Sequence, residues 1–424
     1  MNLSTKRLLD RFIRYVQVDT TASESATAYP SSPGQLVLGK LIADELRAMG
    51  ASDVEQTEKG LVFATLPAVK AKAGPVVAWI AHLDTSPETT GKDVKPLVHH
   101  NYQGLPITLP GKPGLILDPA LHPDLAAMVG KTLVTTDGST LLGADDKAGV
   151  AVIIEAAHRL LEKSDQPRGT IRLCLTCDEE IGKGTDHLDI SHLGADWAYT
   201  LDGGGTSEID HATFSADLAE VIVHGVNIHP AIAKDRMTNA LRMAGMLLER
   251  LPRTMAPETT EGDKGFLHPY KIEGGVDSVR IAILLRDFNT SRLSEQADLL
   301  RSIARAIETD FPAGRFEINI KQQYRNMAEG LAAAPQVLPL AEKAMRFAGL
   351  EPRLTNVRGG TDGSRLTEKG LPCPNLSCGE HNLHSPLEWT CLEEMDIACK
   401  VLEQMASILA EGGLSPLHRM SMNG

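Results

Sequence analysis

PVVAWIAHLDT, residues 75–85, is the stretch that decides the fold. Its first seven residues are apolar with no polar alternation, which suits a strand covered on both faces. It then ends abruptly in His82 and Asp84. Strands of that kind belong to parallel sheets flanked by helices, where functional groups collect beyond the carboxyl ends of the strands. Three further apolar stretches behave alike. Thr132 to Thr135 leads towards LLGADDKAG with Asp145, Ile171 to Thr176 runs into Glu179 and Glu180, and Trp197 to Leu201 runs into Asp202. A fifth segment, NLHSPLEW, carries His384.

Between the strands, helix-period segments at Gly34 to Met49 and Asp146 to Lys163 complete an α/β pattern over roughly the first two hundred residues. The N-terminal MNLSTKRLLDRFIRYVQ spaces Leu8, Leu9, Phe12, Ile13 and Val16 along one helical face with charges between them, which is an amphipathic helix and not a signal peptide. Past His211 the character changes. Strand-like Asp217 to Val226, helical Asp235 to Arg250, strand-like Val279 to Leu285, helical Ser291 to Thr309 and strand-like Phe316 to Lys321 give a βαβαβ-like order, with Ala256 to Gly275 read as a loop. The expected organisation is a catalytic domain in two parts, 1–212 and 326–424, interrupted by a ferredoxin-like α+β lid at 213–325. The catalytic domain is built from both ends of the chain because His384 follows the insertion.

The residue types define the chemistry. Carboxylates and imidazoles without thiolates suit zinc, manganese or cobalt, and a carboxylate can bridge two ions because it has two oxygens. A water held between two such ions becomes acidic enough to ionise near neutral pH, and an uncoordinated carboxylate is then needed to take its proton. The Glu179–Glu180 pair can supply one ligand and one base. Six cysteines, at 174, 177, 373, 378, 391 and 399, include one CxxC. Residues three apart on a strand face opposite sides, so Cys174 and Cys177 are expected to be buried, reduced core residues.

Composition is that of a globular protein: 424 residues, 42% hydrophobic and 23% charged. The net charge of −13 argues against a nucleic-acid partner. No apolar run approaches the roughly 18–20 residues of a membrane span, so a cytoplasmic location without membrane partners is expected.

HLDTSPETTGKDVKP (82–96), TTDGSTLLGADDKAG (135–149), DEEIGKG (178–184), WAYTLDGGG (197–205), VRIAILLRDF (279–288) and RGGTDGSRLTEKGLPCPNL (358–376) together resemble the co-catalytic zinc exopeptidases related to the glutamate carboxypeptidases, and within them the tripeptide-cleaving aminopeptidases. The resemblance runs almost end to end. It implies two divalent metal ions per chain, Zn2+ by expectation. His82 and Asp202 would bind one, Glu180 and His384 the other, and Asp145 would bridge them, with Asp146 the weaker choice of bridge. Asp84 would orient His82, and Glu179 would be the general base for a metal-bridging hydroxide that removes the N-terminal residue of a tripeptide. His229 in NIHPAIAK would approach the scissile carbonyl. Arg286 and Arg358 are candidates to hold a substrate carboxylate. The glycines around Thr361 and Asp362 could bring backbone amides near the substrate, and His381 is a supporting residue. A dipeptidase or acyl-amino-acid hydrolase shares the same metal shell, and a non-catalytic peptide-binding protein would be expected to lack a ligand or base. The oligomeric state, a homodimer among the options, is not legible.

Overall fold

A computed structural model of the chain describes residues 2–414. The chain divides into two compact units. Of the described residues, the first comprises 2–211, 329–355 and 361–414, and the second comprises 212–328 and 356–360.

The first unit is built on a mixed sheet. Its core is four parallel strands in the order Ile171–Thr176, Val77–His82, Trp197–Gly204, Asn375–His381. Antiparallel strands extend it on both sides, including Val62–Leu66 beside Ile171–Thr176 and Trp389–Cys391 beside Asn375–His381. Every residue of Val77–His82 and Asn375–His381 is buried, which is why the first reads as a continuous apolar run up to His82, whereas the second buries Asn375, Ser377, Glu380 and His381 as well. The four core strands run the same way, so His82, Glu179, Glu180, Asp202 and the loop carrying His384 all emerge at one end of the sheet.

Helix Ala144–Glu162 lies almost wholly buried against the sheet. Its first residues depart from helical geometry at Asp145 and Asp146, which are joined by a cis peptide bond. A Cβ on Gly149 would lie 1.8 Å from the carbonyl oxygen of Leu201. Only glycine therefore lets this helix approach the strand end that carries Asp202. The expected N-terminal helix spans Leu3–Val16, with the Asn2 side chain accepting from the Thr5 N–H at 2.9 Å. Besides its apolar face it buries Arg11, which meets the fully buried Glu155 of helix Ala144–Glu162. Arg7 and Arg159 also bind Glu155, at 2.8 and 2.9 Å. Three guanidiniums on one carboxylate offset the desolvation that a buried charge would otherwise cost.

The second unit is a four-stranded antiparallel sheet, in the order Phe266–Gly274, Ser278–Asp287, Ser215–His224, Arg315–Tyr324, carrying helices Ala240–Arg250 and Ser291–Asp310. Its chain order is βαββαβ, the ferredoxin-like arrangement. Two expectations are corrected. Ala256 to Gly275 contains one short 3-10 turn, Pro257–Thr259, and then the edge strand Phe266–Gly274. Pro269 disguises that strand, and the pairing register slips between Pro269 and Lys271, where a residue without an N–H is tolerated. The helix expected from Asp235 begins only at Ala240, because Asp235 has φ +58° and Asn239 caps the Leu241 N–H at 2.9 Å. The core of this unit packs Val221, Ile281 and Ile283 of the sheet against Met243, Leu247 and Leu300 of the helices.

Candidate metal centre

His82 is the last residue of its strand and is 3% exposed. Its backbone N–H donates to Asp146 Oδ2 at 2.9 Å, and its Nδ1 faces the Asp84 carbonyl at 3.1 Å and the Asp84 carboxylate at 3.5 Å. Nε2 is thereby turned to Asp145 Oδ1 at 2.9 Å and to Asp202 Oδ1 at 3.7 Å. Asp84 also acts on the backbone, since its two carboxylate oxygens accept the N–H groups of Glu179 and Glu180 at 3.0 and 3.1 Å. One fully buried acid thus fixes both an imidazole and the turn that presents the paired glutamates.

Asp145 occupies the middle. One oxygen faces His82, and the other lies 3.0 Å from His384 Nε2, which is itself 2.9 Å from Glu180 Oε2. His384 sits in a loop with φ +59°, its carbonyl held by Thr89 Oγ1 at 2.7 Å. Asp146 points elsewhere: besides the His82 N–H it accepts the Gly149 N–H at 3.1 Å, so both its oxygens are occupied by backbone.

The electrostatics fit divalent cations. Burial, then the neighbouring Asp145 charge, pushes Glu180 up to about 7 and Asp202 up to about 6. Burial, then Asp362, raises Glu179 well above the usual carboxylate range. Burial alone would lower His82, but its bonds to Asp145, Asp202 and Asp84 outweigh this and raise it. Hydrogen bonds to Asp145 and Glu180 raise His384 to about 11. Glu180 Oε1 is buried without a hydrogen-bond partner. Ligand atoms of His82, Asp145 and Glu180, and likewise of His82, Asp146 and Asp202, lie within 4.8 Å of one another. Carboxylates crowded in this way, with two imidazoles able to serve as neutral ligands, suit positive ions of higher charge than a proton.

Sequence reasoning passed over three acids here. Glu388, 1% exposed and four residues after His384, accepts from the N–H groups of Leu142, Gly143 and Asp145 at 2.7, 2.8 and 3.1 Å. It shapes the loop that delivers Asp145. Asp362, 4% exposed at the start of helix Asp362–Glu368, accepts from Thr176 Oγ1 at 3.0 Å and adds to the field that raises Glu179. Glu380 lies in the buried strand Asn375–His381. The available signal was Glu388's place four residues after the candidate His384; Asp362 and Glu380 stand in polar, glycine-containing stretches that carry none.

Other candidates have local roles. His381 bonds Glu394 through Nε2 at 2.6 Å and stacks on Trp389 at 3.8 Å. Gly363 is required by packing, since a Cβ there would lie 2.4 Å from the Cys373 carbonyl oxygen, and the Thr361 side chain caps the helix that follows. All six cysteines are buried and free.

His229, Arg286 and Arg358 belong to the second unit. His229 is exposed, and its Nδ1 accepts from the Ala231 N–H at 3.2 Å. Arg286, 9% exposed, donates from Nη1 to the carbonyls of Leu285 and Asp217 and lies over the Tyr324 ring. Arg358 donates to the carbonyls of Gly262, Lys264 and Thr260 and to Thr260 Oγ1, between the rings of Phe214 and Phe266. Those bonds clamp the loop before Phe266.

The raised groups set a pH dependence for metal-stripped protein. A group with a raised folded-state pKa contributes stability at low pH that is lost as pH rises through that pKa. Asp202 and Asp362 at about 6, Glu180 and Glu388 at about 7 and His384 at about 11 all act in this sense. The melting temperature of chelator-treated protein is therefore expected to fall as pH rises from about 4 to 7 through the acids, with His384 extending the fall above that, while the gain on adding a divalent cation grows over the same range. Calorimetry with and without chelator checks this; a metal-stripped melting temperature that rises with pH contradicts it.

An α/β unit that gathers two imidazoles and a set of carboxylates at the carboxyl end of its parallel strands defines a metal-dependent hydrolase. The family model for peptidase family M20/M25/M40 matches residues 136–407. Peptidase T of Listeria monocytogenes serotype 4a is 40% identical over 406 residues, 96% of this chain and 99% of that protein. The fold is similar to that of aminopeptidase PepT from Bacillus cereus, with a TM-score of 0.74 and 23% identity over 96% of this chain and 99% of that one. A tripeptidase from Staphylococcus aureus also gives a TM-score of 0.74, at 21% identity over 96% and 98% of the two chains. The chain belongs to peptidase family M20/M25/M40 and, within it, to the peptidase T group.

Proposed function

We propose that this chain is a dinuclear metallo-aminopeptidase that removes the N-terminal residue from tripeptides. The observation that carries the reading is Asp145, whose two oxygens face different imidazoles, His82 and His384, with Asp202 beside the first and Glu180 beside the second. The likeness to peptidase T over nearly the whole chain supports the substrate class.

His82 and Asp202 would hold one divalent cation, His384 and Glu180 the other, and Asp145 both. Zinc suits imidazole and carboxylate donors of this kind. When bound, the pair would acidify a water and polarise the peptide carbonyl. Glu179 takes the proton of the attacking water on its carboxylate and returns it to the leaving nitrogen. Asp84 keeps Glu179 and Glu180 in register through their backbone N–H groups. His229 donates to the carbonyl oxygen as charge develops there, and Arg286 holds the substrate's terminal carboxylate; Arg358, whose donors already serve the 260–264 loop, is the weaker anchor. Cytoplasmic residence belongs to the same reading and is supported by six unpaired thiols.

The test is chain length. With both charged ends of the substrate held, a dipeptide falls about 3.3–3.6 Å short and a tetrapeptide overruns by as much. An unpaired buried charge costs several kcal/mol, so tripeptides are expected to exceed both in kcat/KM by about two orders of magnitude or more. N-acetylation or C-terminal amidation should each weaken cleavage sharply, and Arg286→Ala should narrow the gap between free and amidated tripeptides. Equal kcat/KM for di-, tri- and tetrapeptides overturns the length selection, and preferential hydrolysis of N-acyl amino acids overturns the aminopeptidase reading.

A further inference from the structure

Strand Asn375–His381 runs parallel to Trp197–Gly204, with Glu380 opposite Gly204, two residues beyond Asp202. The pairing is irregular between Ser377 and Glu380, with Gly379 at φ +91°, and this kink brings the Cys378 and Glu380 side chains together. Both are buried, Glu380 at 2% exposure. Cys378 Sγ donates to Glu380 Oε1 at 3.2 Å and lies 4.0 Å from Asp146 Oδ1. That thiol occupies one oxygen of the glutamate. The other, Oε2, is buried without a hydrogen-bond partner. The carboxylate offers an oxygen within 4.8 Å of oxygens from both Asp145 and Asp202.

A glutamate in the middle of a wholly buried strand is costly unless something pairs with it. Among the described residues no lysine or arginine bonds Glu380; its neighbours Asp145, Asp146 and Asp202 are themselves acids, with Asp146 in hydrogen-bond reach, so no cationic side chain balances its charge when it is ionised. A divalent cation on the His82–Asp202 side does. His384 and Glu180, on the other side of Asp145, have no such third acid: the groups of ligand atoms that include Glu380 draw on Asp145, Asp146, Asp202 and Cys378 and on neither of those two.

We propose that Glu380 is a further ligand of the cation held by His82, Asp145 and Asp202, making the two metal positions inequivalent. The inference rests on the dinuclear reading above. One position would offer one imidazole and three carboxylates, the other one imidazole and two. More oxygen and proportionally less nitrogen favours harder ions, so the Glu380 position is expected to discriminate less strongly for Zn2+ over Mn2+ than its neighbour does.

The experiment is metal binding by chelator-treated protein, with Mn2+ and Zn2+ each titrated against a competing chromophoric chelator, for wild type and Glu380→Gln. Wild type should bind two equivalents; one equivalent or none overturns the dinuclear reading itself, whatever the variant does. Given two, Glu380→Gln is expected to weaken one Mn2+ position by about tenfold to a hundredfold. The other position should be unchanged, and the loss for Zn2+ smaller. Both affinities unchanged in a variant with wild-type circular dichroism overturns the proposal, as does equal weakening at both positions. Should Glu380→Gln fail to fold, a crystal of wild type carrying one equivalent of Mn2+ decides. An anomalous peak within about 2.0–2.3 Å of a Glu380 oxygen is expected, and a peak that leaves Glu380 beyond about 3 Å overturns it.

Discussion

Glu179→Gln is expected to keep two divalent cations per chain and to lose at least two to four orders of magnitude in kcat, the usual worth of a general base. The amide preserves shape but cannot take a proton from water or return one to the leaving nitrogen. Its backbone N–H still reaches Asp84 Oδ1, so the turn that presents Glu180 should stand. Loss of activity with retained metal is therefore the diagnostic pair. Elemental analysis and single-turnover kinetics on the same preparation read both. Near-normal turnover assigns the base elsewhere, and Asp362, which raises Glu179 from close by, is then the next residue to replace.

Asp145→Ala should have the opposite signature. Its two oxygens are the groups nearest both imidazoles, at 2.9 Å from His82 Nε2 and 3.0 Å from His384 Nε2. Removing them takes a ligand from each position at once, so occupancy after dialysis should fall below one cation per chain and turnover to background. Asp146 is the less suited substitute, because backbone N–H groups of His82 and Gly149 already bond its two oxygens. Full occupancy in Asp145→Ala would assign the bridge to another acid and, with it, dismantle the pairing of ligands proposed here.

The legibility of this protein from sequence follows the periodicity of its elements. Val77–His82 is covered on both faces, so every residue had to be apolar until the chain left the sheet, and the first polar residues marked the site. The same logic exposed Asp202 and the Glu179–Glu180 pair. It failed for Phe266–Gly274, because an edge strand has one exposed side and tolerates Pro269, which reads locally as a loop. It also placed the start of helix Ala240–Arg250 too early, since the left-handed Asp235 and the cap at Asn239 are local choices that apolar spacing does not register.

The acids that support the centre were hidden for a different reason. Glu388 binds a loop some 240 residues away in sequence, and Glu380 meets Asp145, Asp146 and Asp202 only because strands Trp197–Gly204 and Asn375–His381 lie side by side. A carboxylate has the same letter whether it coordinates, accepts backbone N–H groups or faces solvent. Arg358, read from RGGTDG as a candidate substrate anchor, also has a local role that its letter did not show: its guanidinium lies near the Phe214 and Phe266 rings and bonds the 260–264 loop.

By itself, then, the sequence determined the α/β class, the end of the sheet where chemistry would gather and the residue types available there, because hydrophobic burial and strand direction are written in local patterns. The division of labour among the acids, with Asp145 between the imidazoles, Asp146 held by backbone, Asp84 beneath the glutamate turn and Glu380 under the centre, was decided only by the tertiary structure. Coordination and proton affinity depend on distances of a few ångströms and on burial, and both are set by which strands become neighbours.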